Sequence, residues 1–494
     1  MSVKEPTEAV ELADLPVKPS DGPETEYDSI AVVFMSQGAE WHSYKTKRLL
    51  WKVDLHLLPW LVLMYTTNFL DRTALAQARL GTLEEDLHLR GVNYNTITSI
   101  LFIGYILFQL PSNLLLTRVR PSLYLCSMMA IWGVISACQA ATHSYPSELV
   151  CRLFLGAAEA PFFSGAIFLM SSWYRAHELT HRIAILYTGV ALANMFGGLI
   201  AAGVLENLNG AHGIAAWRWL FIIEGSATVG IAVIAVFFMP NYPNTTRWLS
   251  KEDQVYAEWR LAEDVIGQRD DRNAVTPMQA LKMAFSDYRL YLFMLMHHAN
   301  LLSQSFTYFF PTIVSSLGYS KIVTLLLTVP VWFATLLAAL AVSYHSSRTK
   351  ERSYHIAACM TVAAIGNIIV ITTSGTGPRM FAMYLMPIGV LPSFQVILAW
   401  ITSSFPRPLA KRAVVVAASG MFGNLASVYG SYMYPPQDGP KYVAAGVGLA
   451  CVCMFCAGMA ITIRFVLGYE NRKLERGEVS KSTAGLPAGF RFIQ

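Results

Sequence analysis

Runs of roughly 20 mostly apolar residues recur about twelve times along this chain, the length an α-helix needs to cross the hydrocarbon core of a bilayer. Six fall in the first half, at 53–76, 96–117, 122–141, 148–173, 180–204 and 216–239. Six more follow at 290–313, 321–344, 354–374, 377–401, 409–431 and 442–467. Backbone N–H and C=O groups have no water to bond inside lipid, so such runs must close their hydrogen bonds within helices. Only 14% of the residues are charged, against about a quarter in a soluble domain.

The charges that remain sit between the runs and set an orientation. One side carries Lys45, Lys47, Arg48 and Lys52, Arg118 and Arg120, Arg175 and Arg182, then Arg247, Lys251 and Arg260. It continues with Arg348, Lys350 and Arg352, Arg407, Lys411 and Arg412, and Arg464, Arg472 and Lys473. The other side has Arg79 and Arg90 beside Glu84, Glu85 and Asp86, then only Lys321, Arg379 and Lys441. Basic residues favour the cytosolic side, so both termini and the central linker are expected there; the plasma membrane is the expected location, with a vacuolar one left open. Residues 1–50 are expected to form a disordered cytosolic tail, 51–239 a six-helix bundle, 240–289 a cytosolic linker, 290–468 a second six-helix bundle and 469–494 a cytosolic tail. A short amphipathic helix is predicted near 250–266. The sequon Asn244-Thr245-Thr246 would face the cytosol and stay unmodified.

Net charge of +5 carries no nucleic-acid signal, because the basic residues are loop charges beside apolar helices. The seven cysteines lie within apolar runs, lack metal-ligand spacing and read as packing residues. No phosphate-binding G-x-x-x-x-G-K-[ST] loop, zinc motif or nucleophile elbow occurs, so an ATP-driven pump or an enzyme is disfavoured and no cofactor is expected.

An internal repeat relates the halves. Met195-Phe196-Gly197-Gly198-Leu199 matches Met421-Phe422-Gly423-Asn424-Leu425. Arg182-Ile183-Ala184 resembles Arg412-Ala413-Val414, and Ser171-Ser172-Trp173 resembles Ser403-Ser404-Phe405. The fifth and eleventh spans are therefore equivalent positions in two parallel repeats.

Further motifs are Asn68-Phe69-Leu70-Asp71-Arg72 in the first span and Gly104-Tyr105-Ile106-Leu107-Phe108-Gln109-Leu110-Pro111-Ser112-Asn113 in the second. Arg152-Leu153-Phe154-Leu155-Gly156-Ala157-Ala158-Glu159-Ala160 lies in the fourth, Trp217-Arg218-Trp219-Leu220-Phe221-Ile222-Ile223-Glu224-Gly225 in the sixth and Tyr308-Phe309-Phe310-Pro311-Thr312 in the seventh. With these the chain resembles the fungal anion:cation symporter family of the major facilitator superfamily, the allantoate and nicotinate permease-like group, from about Asp54 to Tyr469. The resemblance implies an all-α membrane protein with the major facilitator fold: twelve transmembrane helices in two pseudo-symmetric six-helix bundles. It also implies a monomeric secondary transporter of a small organic anion. A departure lies in the fourth span, where the family usually carries Pro-Gly after Glu-Ala and this chain has Pro161 and then Ser164-Gly165, with an expected effect on the bend of that helix.

Ionisable groups inside a membrane are costly and mark function by default. Arg152, Gly156 and Glu159 recur at i, i+4 and i+7 on one helix face. Arg152 is expected to hold a substrate carboxylate through its two-pronged guanidinium, and Glu159 to take up and release a proton. A structural Arg152–Glu159 pair is the alternative. Arg72 is a second candidate clamp, since the resemblance implies substrate contact at that position, and Asp71 would neutralise it or join proton coupling. Asn300, Gln304 and Tyr308, spaced four apart, form a polar wall after His297, a candidate proton relay. Tyr187 and Asn194, with Gln395 and Asn424 in the second half, would complete the binding site. Proton-coupled uptake of a vitamin-like or amide-bearing carboxylate leads; export of a secondary metabolite and a nutrient-sensing transceptor remain open.

Overall fold

The computed structural model describes residues 33–34, 36–116, 119–246, 248–266, 276–406, 408–439, 441–478 and 490–493. Most of the expected tail at 1–50, and with it Arg118, Arg247 and Arg407, lies outside the described residues. All regular elements among the described residues are helical. The first half comprises α1 (Ala39–Ala78), α2 (Asn93–Leu116), α3 (Pro121–Cys138), α4 (Tyr145–Glu159), α5 (Phe162–Ser171), α6 (Ala176–Asn207) and α7 (Ala216–Phe238). Then come α8 (Lys251–Ile266) and α9 (Pro277–Phe285). The second half comprises α10 (Tyr288–Ser303), α11 (Phe310–Ser315), α12 (Lys321–Thr349), α13 (Ser353–Thr372), α14 (Thr376–Ser404), α15 (Leu409–Gly430) and α16 (Val443–Glu475).

Two crossings are broken. The fourth is split into α4 and α5 at Ala160-Pro161, directly after Glu159. Proline lacks the N–H the helix would use and its ring crowds the preceding turn. The seventh is interrupted by a 3₁₀ stretch, Gln304–Phe309, between α10 and α11. Nine crossings among the described residues are long and apolar enough to span a membrane by length and composition alone. The other three are α1, which carries Asp54, Asp71 and Arg72, α2, and the interrupted seventh crossing.

The packing pairs reveal the symmetry. In the first half α1 packs on α6 and α7, α2 on α4, and α3 on α7; in the second α10 packs on α15 and α16, α12 on α14, and α13 on α16. Each pair maps onto its counterpart when the nth crossing is exchanged for the (n+6)th. The halves meet through α2 with α15 and α6 with α12, pairs that the same exchange interchanges. Close approach needs glycine: a Cβ on Gly104 would meet the Leu153 carbonyl oxygen and one on Gly156 that of Leu101, so α2 and α4 cross backbone to backbone. A Cβ on Gly198 would sit 2.6 Å from Thr328 Oγ1, which fixes the α6–α12 crossing. Gly203 and Gly420 have no such neighbour within 4 Å.

Both expected tail boundaries shift. Helix α1 starts at Ala39, so the tail expected to reach residue 50 ends earlier. Its amphipathic extension lies on linker helix α8, which takes the place predicted for it: Phe34 and Trp41 pack edge-on against Tyr256, and His42 stacks on Trp259. Lys45 and Lys52 pair with Asp253 at 2.9 and 2.7 Å. At the other terminus α16 continues to Glu475, and the Ile493 carbonyl accepts from Trp400 Nε1 at 2.8 Å.

Candidate functional site

A cavity of about 660 Å³ lies between the halves, within the size range of small-molecule sites. Leu116 at the end of α2, Ser171 at the end of α5, His181 near the start of α6, and Arg352 and Arg412 at the starts of α13 and α15 all line it. These helix ends share one face of the bundle, so the cavity opens there, beside α8. The opposite end is sealed by bonds between the halves. Tyr94 donates to the Tyr308 carbonyl at 3.2 Å, and Asn95 Nδ2 to the carbonyls of Ser431 and Tyr434 at 2.5 and 3.3 Å. Ser99 bonds the Val428 carbonyl and Ser431 Oγ, and Tyr432 bonds Thr96.

Deep in the cavity Arg72 Nε donates to Glu159 Oε2 at 2.5 Å. Glu159 is the one acidic residue among the described residues that line the cavity. Helix α1 presents Tyr65, Asn68, Phe69 and Arg72 to it at helical spacing. The Arg72 guanidinium lies 5.1 Å from the Phe69 ring centroid and 5.0 Å from that of Tyr105, a cation–π setting that holds it in place. The break after Glu159 ends α4 at that carboxylate. Several buried polar atoms of cavity-lining residues have no hydrogen-bond partner among the described residues: Asn68 Nδ2, Gln109 Oε1, Glu159 Oε1 and both ring nitrogens of His297. Buried polar groups are normally satisfied, so the cavity wall holds unused hydrogen-bonding capacity.

The remaining expected residues divide. Tyr187, Gln304, Tyr308, Gln395, Asn424 and His297 line the cavity. Tyr187 stacks on Phe394 with centroids 4.3 Å apart, a contact between halves that narrows the cavity. Gln395 accepts from Ser343 at 2.6 Å and reaches the Ala184 carbonyl at 3.4 Å. Asn424 bonds the Gly420 carbonyl of its own helix.

Four expected residues do not line it. Arg152 is 1% exposed and donates to Glu148 at 3.4 Å, one turn back on α4. It borders, with Arg72 and Tyr308, a separate void of only about 10 Å³, room for about one water. It neither lines the main cavity nor forms an ion pair with Glu159. Asp71 points away from Arg72 into the first bundle, where Ser136 and Thr228 donate to it at 2.6 and 3.0 Å. Asn194 bonds the Val190 carbonyl of its own helix. Asn300 is fully buried among α10, α13 and α14; it donates to Ser393 at 2.8 Å and accepts from Gln304 at 3.0 Å. The 3₁₀ stretch Gln304–Phe309 takes Tyr308 off the helical register of Asn300, while Gln304 stays bonded to it. Glu224 lies on α7 where Gly225 packs on Gly133 and Ala137, and neither carboxylate oxygen has a hydrogen-bond partner among the described residues. Arg352, one of the orientation-setting basic residues, lines the cavity.

Residues missed in the sequence include Asn68, Tyr105, Gln109 and Phe394. The first three carry a signal, since Asn68 is one turn from Arg72 and Tyr105 one turn from Gln109. Phe394 carries none.

Comparison with known proteins agrees with this architecture. Residues 61–431 match the family model described as Major Facilitator Superfamily. The chain is 30% identical over 440 residues to the MFS transporter prlL of Fungal sp. (strain NRRL 50135), covering 87% of this chain and 88% of that one. It is 32% identical over 453 residues to the MFS-type transporter cnsO of Penicillium expansum, covering 86% and 84%. Against the major facilitator-type transporter hxnP of Emericella nidulans identity is 30% over 446 residues, covering 88% of each. Among solved structures, a bacterial homolog of the human lysosomal transporter Spinster, inward-facing and unoccupied, superposes with a TM-score of 0.61 at 14% identity, covering 86% of this chain and 96% of that one. Twelve crossings, two interchangeable halves and a cavity between them thus have one reading: the chain belongs to the major facilitator superfamily and is a membrane transporter, not an enzyme.

Proposed function

We propose that this chain is a proton-coupled symporter of a small organic anion, of the anion:cation symporter type, working by alternating access. The observation that carries the reading is the Arg72–Glu159 pair, which joins a cavity-lining cation to the cavity's one acid among the described residues. With Glu159 ionised, the pair is neutral and Arg72 is occupied. A proton on Glu159 frees the guanidinium, whose two-pronged donor set then holds a substrate carboxylate. Empty carrier and carrier loaded with proton plus monoanion are both neutral, whereas either ligand alone leaves an uncompensated charge. An unpaired buried charge costs about 3–5 kcal/mol, which suppresses crossings with one ligand only.

The Lys/Arg bias supports placing the open end, with both termini and α8, in the cytosol, and we take the membrane to be the plasma membrane. On that placement Asn244, in the 3₁₀ turn Pro243–Thr245 beside α8, stays unglycosylated. The cavity then faces inward, and the bonds of Asn95 and Ser99 close the outer side. An aromatic lining of Tyr65, Phe69, Phe102, Phe163, Tyr187 and Phe394 favours a substrate with a planar or apolar body. It also supports a second reading, export of a bulky metabolite. Purified protein in liposomes, given an acid-outside pH jump and a panel of carboxylates, tests both. Symport predicts accumulation that Arg72→Gln abolishes; efflux of apolar compounds insensitive to Arg72→Gln would favour export, and binding without flux would favour a sensor.

A further inference from the structure

We propose that the mouth of the cavity holds a second anion-binding station, separate from Arg72 and built by Arg352 and Arg412. Both side chains line the cavity at its open end. Arg412 has no ion pair or hydrogen bond among the described residues, and Arg352 is 8% exposed with a single bond to Ser346 Oγ and an unpartnered Nε. The acids nearby in the fold are taken by other cations. Asp54 accepts both prongs of Arg182 at 2.7 and 2.8 Å. Glu178 receives Arg260 at 2.7 Å. Glu351, next to Arg352 in the chain, turns to His355 at 2.7 Å and Arg464 at 3.1 Å.

The mouth therefore has two guanidinium groups with no ion pair among the described residues, with the hydroxyl of Ser347 and the imidazole of His181 in the same lining. Arg352 is the N-cap of α13 and Arg412 lies in the first turn of α15, and the N-terminal partial positive charge of these helices adds to the field. A charge with no purpose at the water face would extend into solvent; these two lie along the cavity wall. The chemistry suits a carboxylate or phosphate monoester oxygen pair.

The station is set apart from the inner site by the residues that build it. Arg412 and Asn424, twelve residues further along the same helix, both line the cavity, so the lining runs about 18 Å along α15 at 1.5 Å per residue. An anion on the open side would be concentrated at the mouth before reaching Arg72, and one released by Arg72 would be drawn outward.

The test uses the full chain in detergent micelles, arginine-selective phenylglyoxal, and peptide mass spectrometry to follow adducts at Arg412 and Arg352. Benzoate is the probe anion and benzamide its uncharged counterpart. At about ten times its dissociation constant, benzoate should slow adduct formation at both arginines about tenfold, and benzamide should not. The protection should persist in Arg72→Gln, with Arg72→Lys as a second variant should the first not fold. Absence of protection, equal protection by benzamide, or loss of protection in a folded Arg72 variant would each overturn the second station. The inference takes only the ligand's charge from the transport proposal. Failure of acid-driven uptake with protection intact would sink symport and leave the station standing.

Discussion

Replacing Glu159 with glutamine keeps the shape of the cavity floor and removes the one acid among the described residues that faces Arg72 there. One acid implies one proton per cycle, and a proton with a monoanion moves no net charge. At equilibrium the anion ratio then equals the proton ratio: about tenfold for one pH unit, which corresponds to about 1.4 kcal/mol, and about a hundredfold for two. In Glu159→Gln the empty carrier must cross with Arg72 uncompensated. At about 3–5 kcal/mol for a buried charge stripped of its partner, the empty return slows by about two to four powers of ten. The anion-loaded form keeps its paired charge and still crosses. Uphill accumulation should therefore fall to a ratio of one while anion–anion counterflow in preloaded liposomes survives. The assay is radiolabelled uptake and counterflow for whichever carboxylate the panel selects, with membrane voltage clamped. Retention of tenfold accumulation at one pH unit by Glu159→Gln would refute the single-carboxyl coupling argument.

Three further outcomes follow from the geometry. Arg152→Leu strips Glu148 of its charge partner inside α4 and should destabilise the first bundle by about 3–5 kcal/mol; thermal melting of the purified chain should report this, and a loss of substrate affinity with unchanged melting would return Arg152 to the substrate site. Asn95→Ala removes donors to the Ser431 and Tyr434 carbonyls at the sealed end, and at about 0.5–1.5 kcal/mol per bond it should raise the population open at that end severalfold. Spin-label distances between α2 and α15 would measure the change, and unaltered distances would count against the gate. Burial pushes the Asp253 carboxyl up, but hydrogen bonds from Lys52 and Lys45 outweigh it and hold the group below the usual carboxylate range. The stability it lends is thus present above the ordinary carboxylate pKa and lost as pH falls through the lowered one. At neutral pH, Asp253→Asn should speed hydrogen exchange over residues 39–52, and unchanged exchange would show that the aromatic contacts alone hold α1 to α8.

The sequence by itself determined the class of object. Runs of helix-spanning length, loops with alternating basic content and the repeat joining the fifth to the eleventh span led to two six-helix halves, because lipid leaves helices as the way to satisfy an apolar backbone. It also placed Arg72 and Glu159 among the costly charges. It did not tell Arg72 from Arg152. Spacing along the fourth span put Arg152 and Glu159 on one face, yet in the fold Glu159 turns to Arg72 across the cavity and Arg152 back to Glu148. Asn300 and Asn194 were equally good candidates on paper, and each found a partner within its own bundle. The reason is a lack of contrast. In a soluble helix one face is polar because water touches it, so the pattern reveals the face. Here lipid, neighbouring helices and much of the cavity wall all accept apolar side chains, and which stripe of α1 or α4 meets the cavity is decided by the close glycine crossings and by where Pro161 ends a helix.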